Sequence, residues 1–311
     1  MAERSARAFC PAGISSFFEI CDTTPDGKPI HDLEFVGSRG GGFVVKKGVL
    51  TEVGITESKE PIVQVYINSR LAPNAETTKA VTRMLLEKVG KPYIVIIHHK
   101  VAVPIGAGFG SSAGGALSTA LALGKALDIN LTIFQAGKIA HVAEIRCRTG
   151  LGTVGPVTLG GCVITVEPGA PSHAVIDRIP TTSDHRIVTG YYRPIPTKKV
   201  LASAETRKIV NKYGRETVGR ILANPSLENF MLASKDFARK TEFATPLTEK
   251  LIDFAEKAGA IGAAQNMVGE AVHALTTIDN VEKIVETFKK VLPPKNILTA
   301  KIDTKGAHLL R

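Results

Sequence analysis

The twelve residues from Pro104 to Gly115 (Pro-Ile-Gly-Ala-Gly-Phe-Gly-Ser-Ser-Ala-Gly-Gly) combine the groups that grip a polyphosphate. Closely spaced glycines let backbone N–H groups approach an anion with no side chain in the way. The adjacent hydroxyls of Ser111 and Ser112 can bond phosphate oxygens or reach a divalent cation. The run follows an apolar, β-branched stretch, Tyr93 to Ile97, and precedes a helical pattern. A helix beginning at the serines adds unpaired N–H groups and a positive dipole end. Two common phosphate loops are excluded. The P-loop ends in Gly-Lys-Ser/Thr, and no Lys stands here; the dinucleotide fingerprint spaces its glycines by two then three, whereas Gly106, Gly108 and Gly110 are spaced by two and two. The plain alternative is a glycine-rich surface turn that binds nothing. The fixed character of the whole run, set between strand and helix, weighs against it.

A second cluster is His141, Glu144 and Arg148. Spacings of three and four put them on one face of a helix predicted over Thr132 to Thr149. Spacing alone reads as a solvated polar stripe with Glu144 paired to Arg148. The eight histidines show no metal-ligand pattern. His98 and His99 are neighbours in a strand and point to opposite faces, and His273, in an alternating strand, reads as structural.

Several elements must position these groups. Val63 to Ile67 alternates as a half-buried strand. Thr77 to Val89 is an amphipathic helix started by Pro73-Asn74 and stopped by Gly90. Tyr93 to Val103 is the strand that enters the glycine loop. Ser111 to Leu127, made mostly of small residues, is expected to be a central, buried helix. In the helix 132–149, Thr132 reads as the N-cap and Gly150 as the stop. Gly161 to Glu167 and Arg186 to Tyr192 read as strands. Pro25-Asp26-Gly27 and Gly40-Gly41-Gly42 read as turns. The tail reads helix 247–258, strands near 260–267 and 270–276, helix 280–291 and a strand near 297–302, which suits a ferredoxin-like α+β unit.

Composition sets further bounds. At 311 residues, with 44% hydrophobic and 22% charged residues, the chain is an ordinary globular protein of one large or two modest domains. The net charge of +10 suits solubility or anionic ligands. The basic residues are scattered, which argues against nucleic acid. Cys10, Cys21, Cys147 and Cys162 form no Cys-x-x-Cys pair and suit a reducing, cytoplasmic setting. No apolar run reaches membrane-spanning length, so no membrane partner is expected, and the first residues do not resemble a signal peptide.

The loop resembles the signature of the GHMP kinases, Pro-x-x-x-Gly-Leu-Gly-Ser-Ser-Ala, with Phe109 in place of the Leu. Within that superfamily the chain is similar to the archaeal pantoate kinases at Phe9 to Ile20, Gly37 to Gly40, Pro194 to Lys198 and Gly262 to Gly269. The resemblance implies a two-domain α+β fold: a ribosomal protein S5 domain 2-like N-terminal domain over 1–192 and a ferredoxin-like C-terminal domain over 193–311. It implies that ATP is held by Pro104, Gly106, Ala107, Gly108, Phe109, Gly110, Ser111 and Ser112, with Mg²⁺ on Ser112 and Glu144. It implies a small hydroxy acid as acceptor, pantoate first, met by Ser38, Arg39, His141, Arg148 and Thr153, with Ser15-Ser16 lining the substrate side and Thr197 and Lys198 closing it. Coenzyme A synthesis is the implied context, and the assembly expected leaves room for a homodimer. A homoserine or mevalonate-pathway kinase, or a non-catalytic ATP-binding regulator, are the other readings.

One position departs from the family. Many GHMP kinases place an Asp after this helix, and the pantoate-kinase turn reads Thr-Gly-Leu-Gly-Asp-Val. This chain reads Thr149-Gly150-Leu151-Gly152-Thr153-Val154, with no acid between Glu144 and Glu167. Thr153 does not take a proton at neutral pH as a carboxylate does. Three explanations stand: transfer needs no protein base, because positioning and charge neutralisation carry it; another group such as His141 serves; or the chain is divergent or inactive. The intact loop and Glu144 favour the first.

Overall fold

The computed structural model describes residues 4–194 and 203–311. Of the motif that starts at Pro194, Ile195 to Lys198 lie outside the described residues, so the expectation for Thr197 and Lys198 has no structural counterpart here.

Two long strands, β1 (Arg4–Cys21) and β2 (Gly37–Glu57), form the spine of the first sheet. Its order is β12-β1-β2-β5-β3-β4, where β3 is Ile62–Ile67, β4 Arg70–Leu71, β5 Tyr93–Val101 and β12 His308–Leu310. Strand β6 (Cys162–Glu167) also pairs with β2, and β7 (Val175–Ile179) with β6. β3 and β5 are parallel. A parallel pair needs a crossover, and α1 (Glu76–Val89) supplies it. Helices α1, α2 (Ser111–Ala126) and α3 (Ile133–Cys147) cover one face of this sheet with an apolar core that includes Val53, Ile97, Leu117 and Ala140. α2 is buried almost throughout, as its small residues imply.

The second sheet has the order β11-β8-β10-β9, with β8 His185–Pro194, β9 Gly262–Gln265, β10 Gly269–Thr277 and β11 Ile297–Lys301. Numbered in chain order its strands run 4-1-3-2, the ferredoxin-like arrangement the tail predicts. The expected boundary at 192/193 falls inside β8, and β12 returns to the first sheet beside β1. A large core joins the two sheets through Phe17, Phe43, Ile187, Met267 and Leu275, with α5 (Ala204–Ala223) and α6 (Leu227–Lys240) contributing Val210, Phe230 and Phe237. α7 (Pro246–Lys257) and α8 (Val281–Lys289) cover the other face of the second sheet.

Two local expectations are corrected. Gly40-Gly41-Gly42 is no turn: it lies within β2, paired with β1 and β6. The glycines are there because the strands run too close for side chains. A Cβ on Gly42 would lie 1.9 Å from the Ile14 carbonyl oxygen, and one on Gly41 2.8 Å from the rings of Phe17 and Phe230. Helix α3 stops at Arg148, not at Gly150. Arg148 takes the left-handed conformation (φ 54°), its N–H donates to the Ile145 carbonyl and that of Thr149 to the Glu144 carbonyl. This is a Schellman stop with a non-glycine residue in the left-handed place.

His98 and His99 do part to opposite faces. His98 is exposed and stacks on Tyr66, while His99 is buried and bonds Thr51 at 2.8 Å and Thr78 at 3.1 Å. All four cysteines are free. Among the described residues no helix is long and apolar enough to cross a membrane.

Candidate active site

The glycine loop runs from the end of β5 to the start of α2. Gly106, Gly108 and Gly110 all take positive φ (78°, 77° and 59°), which L side chains rarely adopt. Space is short as well: a Cβ on Gly108 would lie 2.8 Å from the Asn266 Cβ, and one on Gly110 2.6 Å from the Thr153 Cγ2. Ala107 and Phe109 alternate with the glycines and are buried, so they anchor the loop in the core. Phe109 fills the apolar role of the Leu it replaces. Gly110 caps α2 with no side-chain bond, so no side chain occupies the first-turn N–H groups of that helix. A bare helix N-terminus after a glycine loop favours an anion.

Ser112, in that first turn, meets Glu144 from α3. Glu144 is buried at 2% exposure. Its carboxylate accepts from the Thr149 hydroxyl at 3.1 Å, and the nearby Ser112 hydroxyl helps to favour its charged form. Thr77, at the start of α1, lies 2.9 Å from Thr149 Oγ1 and 3.4 Å from Ser112 Oγ. The Arg148 stop is what turns Thr149 back onto the carboxylate. Gly150 is equally constrained, since a Cβ there would fall 2.3 Å from Glu144 Oε2. Burial pushes the Glu144 carboxyl above its ordinary range, and the two hydroxyl bonds oppose that rise. No cation among the described residues pairs with it, contrary to the Glu144–Arg148 pairing that spacing alone offers. A buried carboxylate and serine hydroxyl beside an anion-binding helix end are a donor set that fits a hard divalent cation completed by phosphate oxygens and water.

Thr153 begins α4 (Val154–Leu159) and sets its methyl against the backbones of Gly13 and Gly110. It lines a pocket with Gly13, Ile14, Ser15, Phe17, Phe18, Ser38, Gly40, Gly41, Gly42, Phe43, Val44, Gly152, Pro156 and Thr165. Among the described residues no ionisable side chain is in that lining. Ser38 is close to the turn after α3, because a Cβ on Gly152 would sit 2.1 Å from Ser38 Oγ.

The remaining candidates lie outside that lining. His141 is buried and its Nε2–H donates to the Val36 carbonyl at 2.8 Å. Burial lowers its pKa, against the bonds to the Val36 and Leu33 carbonyls. Arg39 pairs across the strands with Glu19 at 3.3 Å and with Glu167 at 3.5 Å. Glu19 is in turn held by Arg215 at 2.8 Å. Arg148 is exposed and pairs with no described acid. Sequence reasoning missed Thr77, whose hydroxyl was read only as part of an amphipathic helix, and Thr149, read as the end of α3. A hydroxyl at the start of α1 and another just past the end of α3 were the available signals.

Known proteins resemble this chain over most of its length. Residues 76–161 match the family described as GHMP kinases N terminal domain. The chain is 28% identical over 282 residues to the pantoate kinase of Methanocaldococcus jannaschii, covering 90% of this chain and 96% of that one. It is 29% identical over 297 residues to the pantoate kinase of Thermococcus kodakarensis, covering 94% of each. A solved structure described as a phosphotransferase related to the CoA biosynthesis pathway superposes with a TM-score of 0.86 at 27% identity, over 99% of both chains. Residues 76–161 thus match the GHMP kinases N terminal domain, within a chain similar over most of its length to the pantoate kinases of Methanocaldococcus jannaschii and Thermococcus kodakarensis, in line with the superfamily resemblance read from the sequence.

Proposed function

We propose that this GHMP kinase transfers the γ-phosphoryl group of ATP to pantoate, giving ADP and 4-phosphopantoate. The observation that carries the reading is the bare N-terminus of α2 standing beside a buried carboxylate whose only partners among the described residues are hydroxyls. The loop from Pro104 to Ser112 holds the phosphates through backbone N–H groups and the hydroxyls of Ser111 and Ser112. Ser112 and Glu144 hold Mg²⁺, which when bound neutralises charge on the phosphates. Thr77 and Thr149 keep the Glu144 carboxylate oriented.

The acceptor lies in the pocket bounded by Ser38 and Thr153. Its hydroxyl oxygen attacks the γ-phosphorus, the bond to the β-phosphate oxygen breaks, and the hydroxyl proton passes to a phosphoryl oxygen or to solvent. In a loose transition state that proton leaves late, so no protein base is required. Thr153, the Gly13 backbone and Ser38 then serve orientation and exclude water. Arg148, exposed and paired with no described acid, supplies the cation for the acceptor carboxylate. Arg39 is already committed to Glu19 and Glu167 and shapes the wall; His141 ties α3 to the segment 33–36. The first sheet and its helices build the nucleotide side, and the second sheet the opposite wall. Unpaired cysteines suit this reaction in a reducing cytoplasm.

Parallel assays of ATP turnover with pantoate, homoserine and mevalonate test the reading. ADP release with pantoate is expected. Release only with another acceptor replaces the substrate, and ATP binding without release from any of them makes the chain a regulator.

A further inference from the structure

His273 stands in the middle of β10 with none of its surface exposed. Its ring reaches into both halves of the molecule. Nε2 lies 2.9 Å from Ser16 Oγ on β1, and Nδ1 lies 2.9 Å from Asn266 Oδ1 in the turn before β10. Asn266, itself fully buried, donates its Nδ2–H to the Ala107 carbonyl at 3.3 Å, inside the glycine loop. That last contact fixes the direction of the others. With Nδ2 on Ala107, Oδ1 must accept from Nδ1–H of the ring. A neutral imidazole then has Nε2 as acceptor, and the Ser16 hydroxyl donates to it. Burial pushes the His273 pKa down to about 3, so the ring is neutral at working pH. Each joint has one donor and one acceptor, and the imidazole has none to spare.

The surrounding backbone leaves little play. Met267 N–H donates to the Ser15 carbonyl at 2.8 Å. Gly269 lies so close to the loop that a Cβ on it would be 3.1 Å from the Ala107 carbonyl carbon. The loop is therefore seated on the turn 266–269. That turn is tied to the strand that carries Ser15, one wall of the acceptor pocket.

We propose that His273 is a positioning residue for the phosphoryl donor: through Asn266 it sets the Ala107 carbonyl, and with it the loop N–H groups, relative to the pocket wall at Ser15 and Ser16. This rests on reading Gly106 to Ser112 as the nucleotide loop. Buried polar chains of this kind hold one geometry because an unmade bond in them is costly.

The test is Mg·ATP affinity by calorimetry, together with kcat and acceptor KM, for Asn266→Asp, His273→Phe, Ser16→Ala and the double variant Ser16→Ala/His273→Phe, with melting followed by far-UV circular dichroism. Asn266→Asp keeps an acceptor for the ring but turns an oxygen onto the Ala107 carbonyl, and is expected to weaken Mg·ATP about tenfold. Ser16→Ala touches no loop atom, yet is expected to weaken Mg·ATP about threefold alone and to add nothing in the His273→Phe background. Single variants that melt earlier while binding Mg·ATP within about twofold of wild type overturn the proposal and leave His273 a core residue. If His273→Phe does not fold, the single variants at Ser16 and Asn266 still decide it. Wild-type protein that binds no Mg·ATP overturns the loop reading itself, and this proposal with it.

Discussion

On the donor side of the site, Glu144 is buried among the hydroxyls of Ser112, Thr77 and Thr149, against the bare end of α2. On the proposed acceptor side, Thr153, Ser38 and Ser15 line a pocket with no ionisable group among its described lining residues. The two regions are only a backbone apart, since Thr153 rests on Gly110. The difference shows where this chain spends its charge. In the proposed reading the buried charge of Glu144 faces the phosphates, where charge must be neutralised in a low dielectric. The acceptor pocket itself offers shape and hydroxyls, and its proposed cation, Arg148, comes from outside that lining. In that reading a carboxylate at position 153 would stand beside the loop that holds the phosphates, because Thr153 sits against Gly110.

The largest effects are expected on the donor side. Glu144→Ala and Ser112→Ala should each lower kcat by about 10²–10³-fold in steady-state assays with pantoate. Near-normal turnover in both would dissolve the contrast between the two regions. Gly110→Ala comes next, because it meets both a left-handed φ and the Thr153 methyl; Mg·ATP affinity should fall by roughly tenfold or more. Arginines sharpen the acceptor side. Arg148→Ala should raise the acceptor KM about tenfold with kcat little changed, whereas Arg39→Ala should chiefly lower the melting temperature because it strips a partner from buried Glu19. The reverse pattern would move the carboxylate site to Arg39. Thr153→Asp should change kcat by less than about tenfold while adding an acidic limb to the pH–rate profile that the wild type lacks. A folded but dead variant would show a pocket rebuilt around the smaller residue.

The smallest effect is on stability. The Glu144 carboxyl is raised in the fold, so its contribution is fully present below the ordinary carboxylate range and is lost as pH rises through the raised pKa. Glu144→Gln escapes that loss. Without Mg²⁺ it should melt on the order of 2 °C above wild type at pH 8 and level with it near pH 4. Added Mg²⁺ should stabilise wild type and leave the variant unmoved, as read by thermal melts.

The glycine loop was legible from sequence because its signal is local: strand, glycines, serines and helix follow one another within one stretch of chain. The ferredoxin-like sheet was legible for the same reason, from alternation and turn residues in the tail. What stayed hidden depends on pairing between distant segments. Gly40 to Gly42 look like a turn until β1 and β6 are laid against them. Arg39 looks free until the register sets it opposite Glu19. Arg148 reads as a helical partner for Glu144, yet it is the residue that ends the helix and sends Thr149 to that carboxylate. His141 shares a helix with Glu144 and still faces the segment at Val36.

Strand β12 carries a consequence for synthesis. Residues 308–310 pair with Arg7 to Phe9 at the edge of the first sheet, and Asp303 and Ala307 bond Val44 and Val157 on the way. In the chain, the other strands of the first sheet and the whole second sheet lie between β1 and β12. On the ribosome, β1 is therefore made well before its outer neighbour. Its open edge stays exposed until β12 is made, and a chain cut at the sheet-to-sheet junction would keep that edge permanently.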